Sequence, residues 1–320
     1  MREYTVTKNG DGSRADRFLS KTAPDVPPSA LQKAFRRRDV KRGGKPCRAG
    51  ERLAEGDTIR LYGVTPPVGN GPPARSAPPG RERIGHALIG RSLNILYEDP
   101  HILVLRKPAG LPSQNDGGEA GIEDMARAYL RGKGEWAPAE ENGFLPSLCH
   151  RLDRNTEGLL LFAKTAAALR VLTEKIKNRE IIKTYRCVIE GVPPEPSGEW
   201  RDWLWKDAKR KRVYAQMNPS PGAKQAVLRY RVLRTRGERS LLEIELVTGR
   251  THQIRVQCAS RGFPIAGDGK YGRGGGKREM ALCAVKIEMR FRADAGALGY
   301  MDGQVFQIDK NFADFIDIGE

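Results

Sequence analysis

The sequence predicts an α+β fold: a mixed, largely antiparallel sheet with flanking helices, preceded by a small α+β unit. Three features carry that expectation. The 320 residues exceed one average domain and fit a sizeable domain plus a smaller one. Residues 63–92 hold six Pro and six Gly, which sustain neither a helical nor a strand pattern and read as a linker between units at 1–62 and 93–320. Beyond that linker, strand-like runs outnumber helical ones, leaving too few crossover helices for a doubly wound sheet.

In the first unit, Ser29 is placed to cap a helix reaching about Arg38, with Leu31, Ala34 and Phe35 on one face and Lys33, Arg36 and Arg37 on another. Residues 39–46 read as strand, tight turn and strand, and Glu55-Gly56-Asp57 turns into the alternating run 58–62. In the second unit, 94–105 is strand-like and runs into the turn Lys107-Pro108-Ala109-Gly110, 121–131 is helical, and 158–163 is a buried strand. Thr165 caps a helix whose Leu169, Leu172 and Ile176 share a face. β-rich runs follow at 181–190, 226–233 and 241–247; a helix beginning near His252 ends at Arg261-Gly262, and the last strand spans about 282–291. Residues 272–277 lack the G-K-[ST] ending of a phosphate loop and read as a flexible basic hairpin.

Charge narrows the function. The chain carries 56 Lys+Arg against 39 Asp+Glu, a net +17, and residues 1–62 alone hold 15 basic and 8 acidic side chains. Such a surplus attracts polyanions, in the cytosol most often RNA or DNA. Purely apolar runs such as 158–163 are far too short for a bilayer, and charges precede any apolar stretch at the start, so the expectation is a cytoplasmic protein with no membrane span and no secretory signal. Five cysteines, odd in number and never spaced C-x-x-C, fit a reduced chain without a zinc ribbon. The four histidines are dispersed, so no metal site is expected. Cys149 and His150 are adjacent on an extended segment, where side chains diverge, and so do not read as a thiol–imidazole pair.

Three stretches are dense in reactive groups. In Cys149-His150-Arg151-Leu152-Asp153-Arg154-Asn155-Thr156-Glu157-Gly158, a polar loop leads into the buried strand; Arg151 and Arg154 flank Asp153 and are expected to hold it ionised. On this segment alone, an ordinary salt-bridged turn carboxylate fits equally well. Thr248-Gly249-Arg250-Thr251-His252-Gln253-Ile254-Arg255 is a turn opening a helix; a start at Thr251 puts Thr251, Arg255 and Cys258 on one face. In Lys183-Thr184-Tyr185-Arg186, strand alternation is expected to send Tyr185 to one face and its cationic neighbours to the other.

Taken in order, H-R-L-D-x-x-T-x-G-L-L-L, K-x-Y, T-G-R-T-H-Q-I-R and G-x-P-I-x-G-D-x-x-Y-G (262–272) strongly resemble the RluA family of pseudouridine synthases, as do Tyr97-Glu98-Asp99 and residues 107–112. The basic helix, V-K-x-x-G-K and E-G-D-x-I-R of the first unit resemble a small RNA-binding module first seen in a ribosomal small-subunit protein. The likeness spans about 93–292 plus 13–62 and implies the pseudouridine synthase fold. It also implies a cofactor-free, monomeric isomerase that turns uridine in ribosomal large-subunit RNA or tRNA into pseudouridine.

By the same resemblance, Asp153 acts at the sugar, Arg255 pairs with it, Tyr185 stacks on the uracil, and Arg151 fills the gap left by the extruded nucleotide. His150, Thr156, Arg250 and His252 join that RNA-facing group, while Lys33, Arg36, Arg37, Lys41 and Lys45 grip the backbone through the module. Glu157, where the family usually has Ser, is expected to alter the loop's contacts without removing the catalytic carboxylate, and this departure together with Gln257, where His is common, leaves the identity of the substrate open. A non-catalytic RNA-binding factor would have no use for a carboxylate beside a polyanion, which favours the enzyme.

Overall fold

The computed structural model describes residues 1–7, 10–23, 26–63, 92–137, 144–273 and 279–316. The linker read at 63–92 and the hairpin read at 272–277 fall almost wholly outside the described residues.

The first unit contains β1 (Arg2–Thr5), α1 (Ala15–Thr22), α2 (Pro28–Arg37), β2 (Val40–Arg42), β3 (Lys45–Pro46) and β4 (Thr58–Leu61), with an antiparallel sheet in the order β1-β4-β2-β3. Helix α2 begins at Pro28, one residue before the expected cap at Ser29, because the fixed φ of proline suits the first helical position. It stops where Arg38 turns left-handed at φ 62°. Leu31 and Ala34 join Phe18, Leu19, Ile59 and Leu61 in a separate small core. Lys33, Arg36, Arg37 and Lys45 stay exposed, and Lys41 lies 5.0 Å from the centre of the Tyr62 ring.

The second unit runs through β5 (Asn94–Glu98), β6 (Ile102–Lys107), α3 (Ile122–Gly132), β7 (Ser147–Leu148), β8 (Glu157–Ala163), α4 (Ala166–Lys177), β9 (Ile181–Glu190) and β10 (Ser197–Asp207). It continues with β11 (Arg212–Gln216), β12 (Lys224–Arg236), β13 (Arg239–Leu246), α5 (Gln253–Ser260), β14 (Leu282–Met289) and β15 (Val305–Gln307). The sheet order is β11-β10-β12-β13-β9-β14-β8-β6-β5, with β15 on β14 and β7 on β8. Among the described residues only β8 and β14 pair in parallel, so the sheet is mixed and largely antiparallel, as expected. No helix among the described residues is long and apolar enough to cross a membrane.

Three departures from expectation have a visible physical cause. The run 94–105 is a hairpin, not one strand, because the Asp99 carboxylate accepts the backbone N–H groups of His101 and Ile102 (2.7 and 2.8 Å) and folds a turn there. Strand β10 escaped notice because its inward positions are Trp200, Asp202 and Leu204, a carboxylate interrupting the apolar alternation. Asp202 is balanced by Gln257 and Arg261 at 2.6 and 2.8 Å. Helix α1 was also missed; only Ala15, Phe18 and Leu19 of its eight residues are buried.

The register across the sheet positions the chemistry. Gly158 of β8 pairs with Ala284 of β14, which pairs with Tyr185 of β9. Gly158 has φ 127°, and a Cβ there would collide with the Ala284 backbone, so only glycine permits the strands to meet. That row brings the end of the Asp153 loop level with Tyr185.

Candidate active site

Asp153 opens a turn closed by the Thr156 N–H donating to the Asp153 carbonyl (3.0 Å), directly before β8. Segment 107–113 clamps this loop from beneath. The fully buried Lys107 donates from Nζ to the carbonyls of Pro108, Leu111 and Arg154 at 2.9, 2.7 and 2.8 Å. Ser113 Oγ donates to the Leu152 carbonyl (2.7 Å) and accepts the Leu152 N–H (3.0 Å). Burial lowers the Lys107 ammonium to about 8, opposed by the charges of Asp153 and Glu157.

The cation beside Asp153 is not its sequence neighbour. Arg154 points away to Glu119 and Asp116 (2.5 and 3.1 Å), because the turn swings adjacent side chains apart. Arg151 is exposed. The partner is Arg255, whose Nη1 donates to Asp153 Oδ2 at 3.0 Å. Its Nε and Nη2 meanwhile fork onto both oxygens of Asp268, each at 2.8 Å. The Asp268 side chain is 0% exposed and also accepts the N–H groups of Lys270 and Tyr271. Burial opposes the charge on Arg255, but Asp268 and then Asp153 outweigh it and raise its pKa; Arg255 likewise holds Asp268 below its ordinary range against burial.

His252 adopts a left-handed backbone (φ 53°) as the N-cap of α5, so the helix starts at Gln253, not Thr251. The Gln253 side chain fixes that start by accepting from Thr248 Oγ1 and the Arg250 N–H (2.8 and 3.0 Å). Arg255 and Cys258 are buried as expected, whereas Thr251 lies exposed outside the helix. His252 Nδ1 shares a 2.9 Å hydrogen bond with the Tyr271 hydroxyl, and Nε2 stands 3.9 Å from Asp153 Oδ2. Burial lowers the imidazole pKa more than Asp153 raises it, which keeps the ring neutral at neutral pH. Tyr271 completes the support: the Arg255 guanidinium lies 5.1 Å from its ring centre.

Tyr185 is buried, and burial followed by the charge of Asp153 pushes its hydroxyl pKa up. Lys183 corrects the reading of K-x-Y. Residues two apart share a strand face, so Lys183 stands with Tyr185 over the cleft, and only Arg186 turns away to Glu243. His150 Nε2 accepts the Leu161 N–H at 3.3 Å and ties the loop to β8; Thr156 is buried, and Arg250 Nε donates to the Gln225 carbonyl at 3.0 Å.

One cleft of about 1830 Å³ gathers Asp153, Tyr185, Arg255, Arg151, His150, Thr156, Arg250 and His252. Its lining has 13 Lys and Arg against four Asp and Glu, a cationic wall for a polyanion. The five cations of the first unit are not part of it. Glu157 and Gln257 do not line it either: Glu157 bridges Arg106 and Lys310, and Gln257 bonds Asp202 and the Trp200 carbonyl. Both departures therefore serve the scaffold. Asp268, Tyr271, Ser113 and the buried role of Lys107 were not assigned from sequence, although Asp268, Tyr271 and Lys107 stand within the quoted motifs.

The family model described as RNA pseudouridylate synthase matches residues 101–260, which hold Asp153, Tyr185 and Arg255. The chain belongs to that family. The ribosomal large subunit pseudouridine synthase C of Vibrio cholerae is 33% identical over 82% of this chain and 77% of its own. The protein of the same name from Escherichia coli is 31% identical over 95% and 91%. Among solved structures, human RNA Pseudouridylate Synthase Domain Containing 1 aligns over 71% of this chain and 94% of its own, with a TM-score of 0.51 at 21% identity. That likeness shows the fold. This pseudouridine synthase is thus an RNA-modifying isomerase.

Proposed function

We propose that this pseudouridine synthase isomerises particular uridines of ribosomal large-subunit RNA, with Asp153 acting at the sugar of an extruded nucleotide. The observation that carries the reading is the set of contacts at Asp153. Arg255 holds Oδ2, while Oδ1 accepts no hydrogen bond among the described residues, and the side chain keeps 25% exposure to the cleft. A carboxylate oxygen is therefore presented to a reacting carbon in a fixed orientation. Tyr185 offers its ring face to the uracil and its hydroxyl for the proton leaving carbon 5. A stacked base hides its sugar carbon and cannot turn, so the nucleotide must swing out, and the exposed Arg151 fills the space it leaves. The relatives named for the ribosomal large subunit favour that RNA over tRNA.

Carbodiimide mapping of total RNA from cells with and without the gene tests the substrate. Loss of one or more large-subunit sites is expected; loss confined to tRNA overturns the ribosomal assignment. The first unit, 1–62, supplies sequence-independent grip in this reading, supported by the exposed Lys33, Arg36, Arg37 and Lys45. Replacing Lys33, Arg36 and Arg37 together by Ala should flatten the plot of log affinity against log salt by about 0.7–0.9 per lost phosphate contact. An unchanged slope assigns these cations to solubility alone.

A further inference from the structure

Three lysines are counted among the buried side chains, and two have their ammonium groups satisfied: Lys107 by three carbonyls, Lys175 by Glu180 at 2.7 Å and the Ala293 carbonyl. Lys164, nearly as deep, pairs with Glu98 and Glu135. Lys183 is 9% exposed, and its ammonium makes no hydrogen bond, ion pair or ring contact with any described residue. Burial lowers its pKa, and no carboxylate acts against that. Its Nζ lies beside the turn at Gly249, 3.8 Å from where a Cβ there would sit, and Lys183, Gly249 and the exposed Arg250 line the same cleft.

A desolvated ammonium without a counter-ion is unfavourable in the free protein and is relieved when an anion arrives. Uracil carbonyls are neutral and do not balance it; a backbone phosphate does. We propose that Lys183 is the seat of one phosphate of the target strand, next to the extruded nucleotide, engaged only when that nucleotide enters the cleft. This rests on the reading that Asp153 and Tyr185 receive the uridine.

The test uses short stem-loop RNAs labelled with tritium at carbon 5 of the target uridine, each with one neighbouring phosphate replaced by a neutral methylphosphonate. With the wild-type enzyme, one position should weaken binding about tenfold, the scale of one charge-assisted contact. Lys183→Met should itself bind about tenfold more weakly, be indifferent to that same substitution, and show a salt slope smaller by about 0.7. Without RNA its thermal midpoint should rise, because an unpaired buried charge has been removed, an outcome a merely structural lysine does not give. Equal sensitivity of both proteins at every position overturns the seat. If Lys183→Met does not fold, Lys183→Gln is read the same way, and wild-type KM unchanged across all the methylphosphonates overturns the seat without any variant. A wild-type enzyme releasing no tritium from the unmodified RNAs overturns the proposed reaction instead.

Discussion

Asp153→Asn should lose turnover by at least about ten-thousand-fold, the scale seen when a nucleophile acting in concert with its neighbours is removed. RNA affinity should stay within a few-fold of wild type. Asparagine retains a carbonyl oxygen for Arg255 Nη1, so the loop and its turn keep their shape. What disappears is the ionised oxygen facing the sugar. It is also a negative charge in a cleft whose lining is mostly cationic, so binding has no reason to weaken. Tritium release and filter binding on the same RNA separate the two effects, and appreciable turnover by the variant would sink the assignment of Asp153.

Asp268→Asn should lower kcat about 100- to 1000-fold with KM little changed, and destabilise the fold by about 3 kcal/mol. The Asp268 side chain is fully buried, so it is a positioning residue acting through Arg255. Its two 2.8 Å bonds fix the guanidinium plane, and that plane aims Nη1 at Asp153. An amide offers one acceptor where the fork needs two and leaves a buried cation half balanced. Because the folded protein holds Asp268 below its ordinary range, its stabilising contribution is present at neutral pH and is lost as the pH falls through the depressed value. The variant's urea midpoint should accordingly converge on wild type in acid. Arg255→Lys should resemble Asp268→Asn in kcat, since a point charge cannot serve both carboxylates. Wild-type kcat in Asp268→Asn, with only stability lost, would make Asp268 scaffold.

What could be read in advance follows the range of the interactions. Asp153, Arg255 and Tyr185 sit in local patterns, a polar loop before a buried strand, a turn opening a helix and an alternating strand, and the fold delivers all three to one cleft. Pairing was less legible. Sequence adjacency suggested Arg151 and Arg154 as the cations for Asp153, and only the family resemblance pointed to Arg255; a turn separates neighbours in space, and the partner does come from α5. Asp268 was visible only as part of a motif, because its role depends on a contact between a loop and a helix that no periodicity encodes. Lys183 shares the strand face of Tyr185, two positions away, and Thr251 falls outside a helix that starts two residues later, at Gln253. Strand β10 was hidden by Asp202, whose burial makes sense only once Gln257 and Arg261 are beside it.

The place of β14 between β8 and β9 bears on how the molecule comes into being. On one side of it lie β5, β6 and β8, on the other β9 to β13, and each group can pair internally in antiparallel fashion while the chain is still being made. Asp153 feeds the first group; Tyr185 and Arg255 belong to the second. The two half-sheets hydrogen-bond to each other only through β14 among the described strands, although α4 packs on both β8 and β9. Such distant pairing is slow, and meanwhile the apolar edges of β8 and β9 stand open to wrong partners. Until β14 has been made and inserted, the nascent chain thus carries two half-sheets with open edges, and the row that sets Gly158 level with Tyr185 is complete only when that strand joins them.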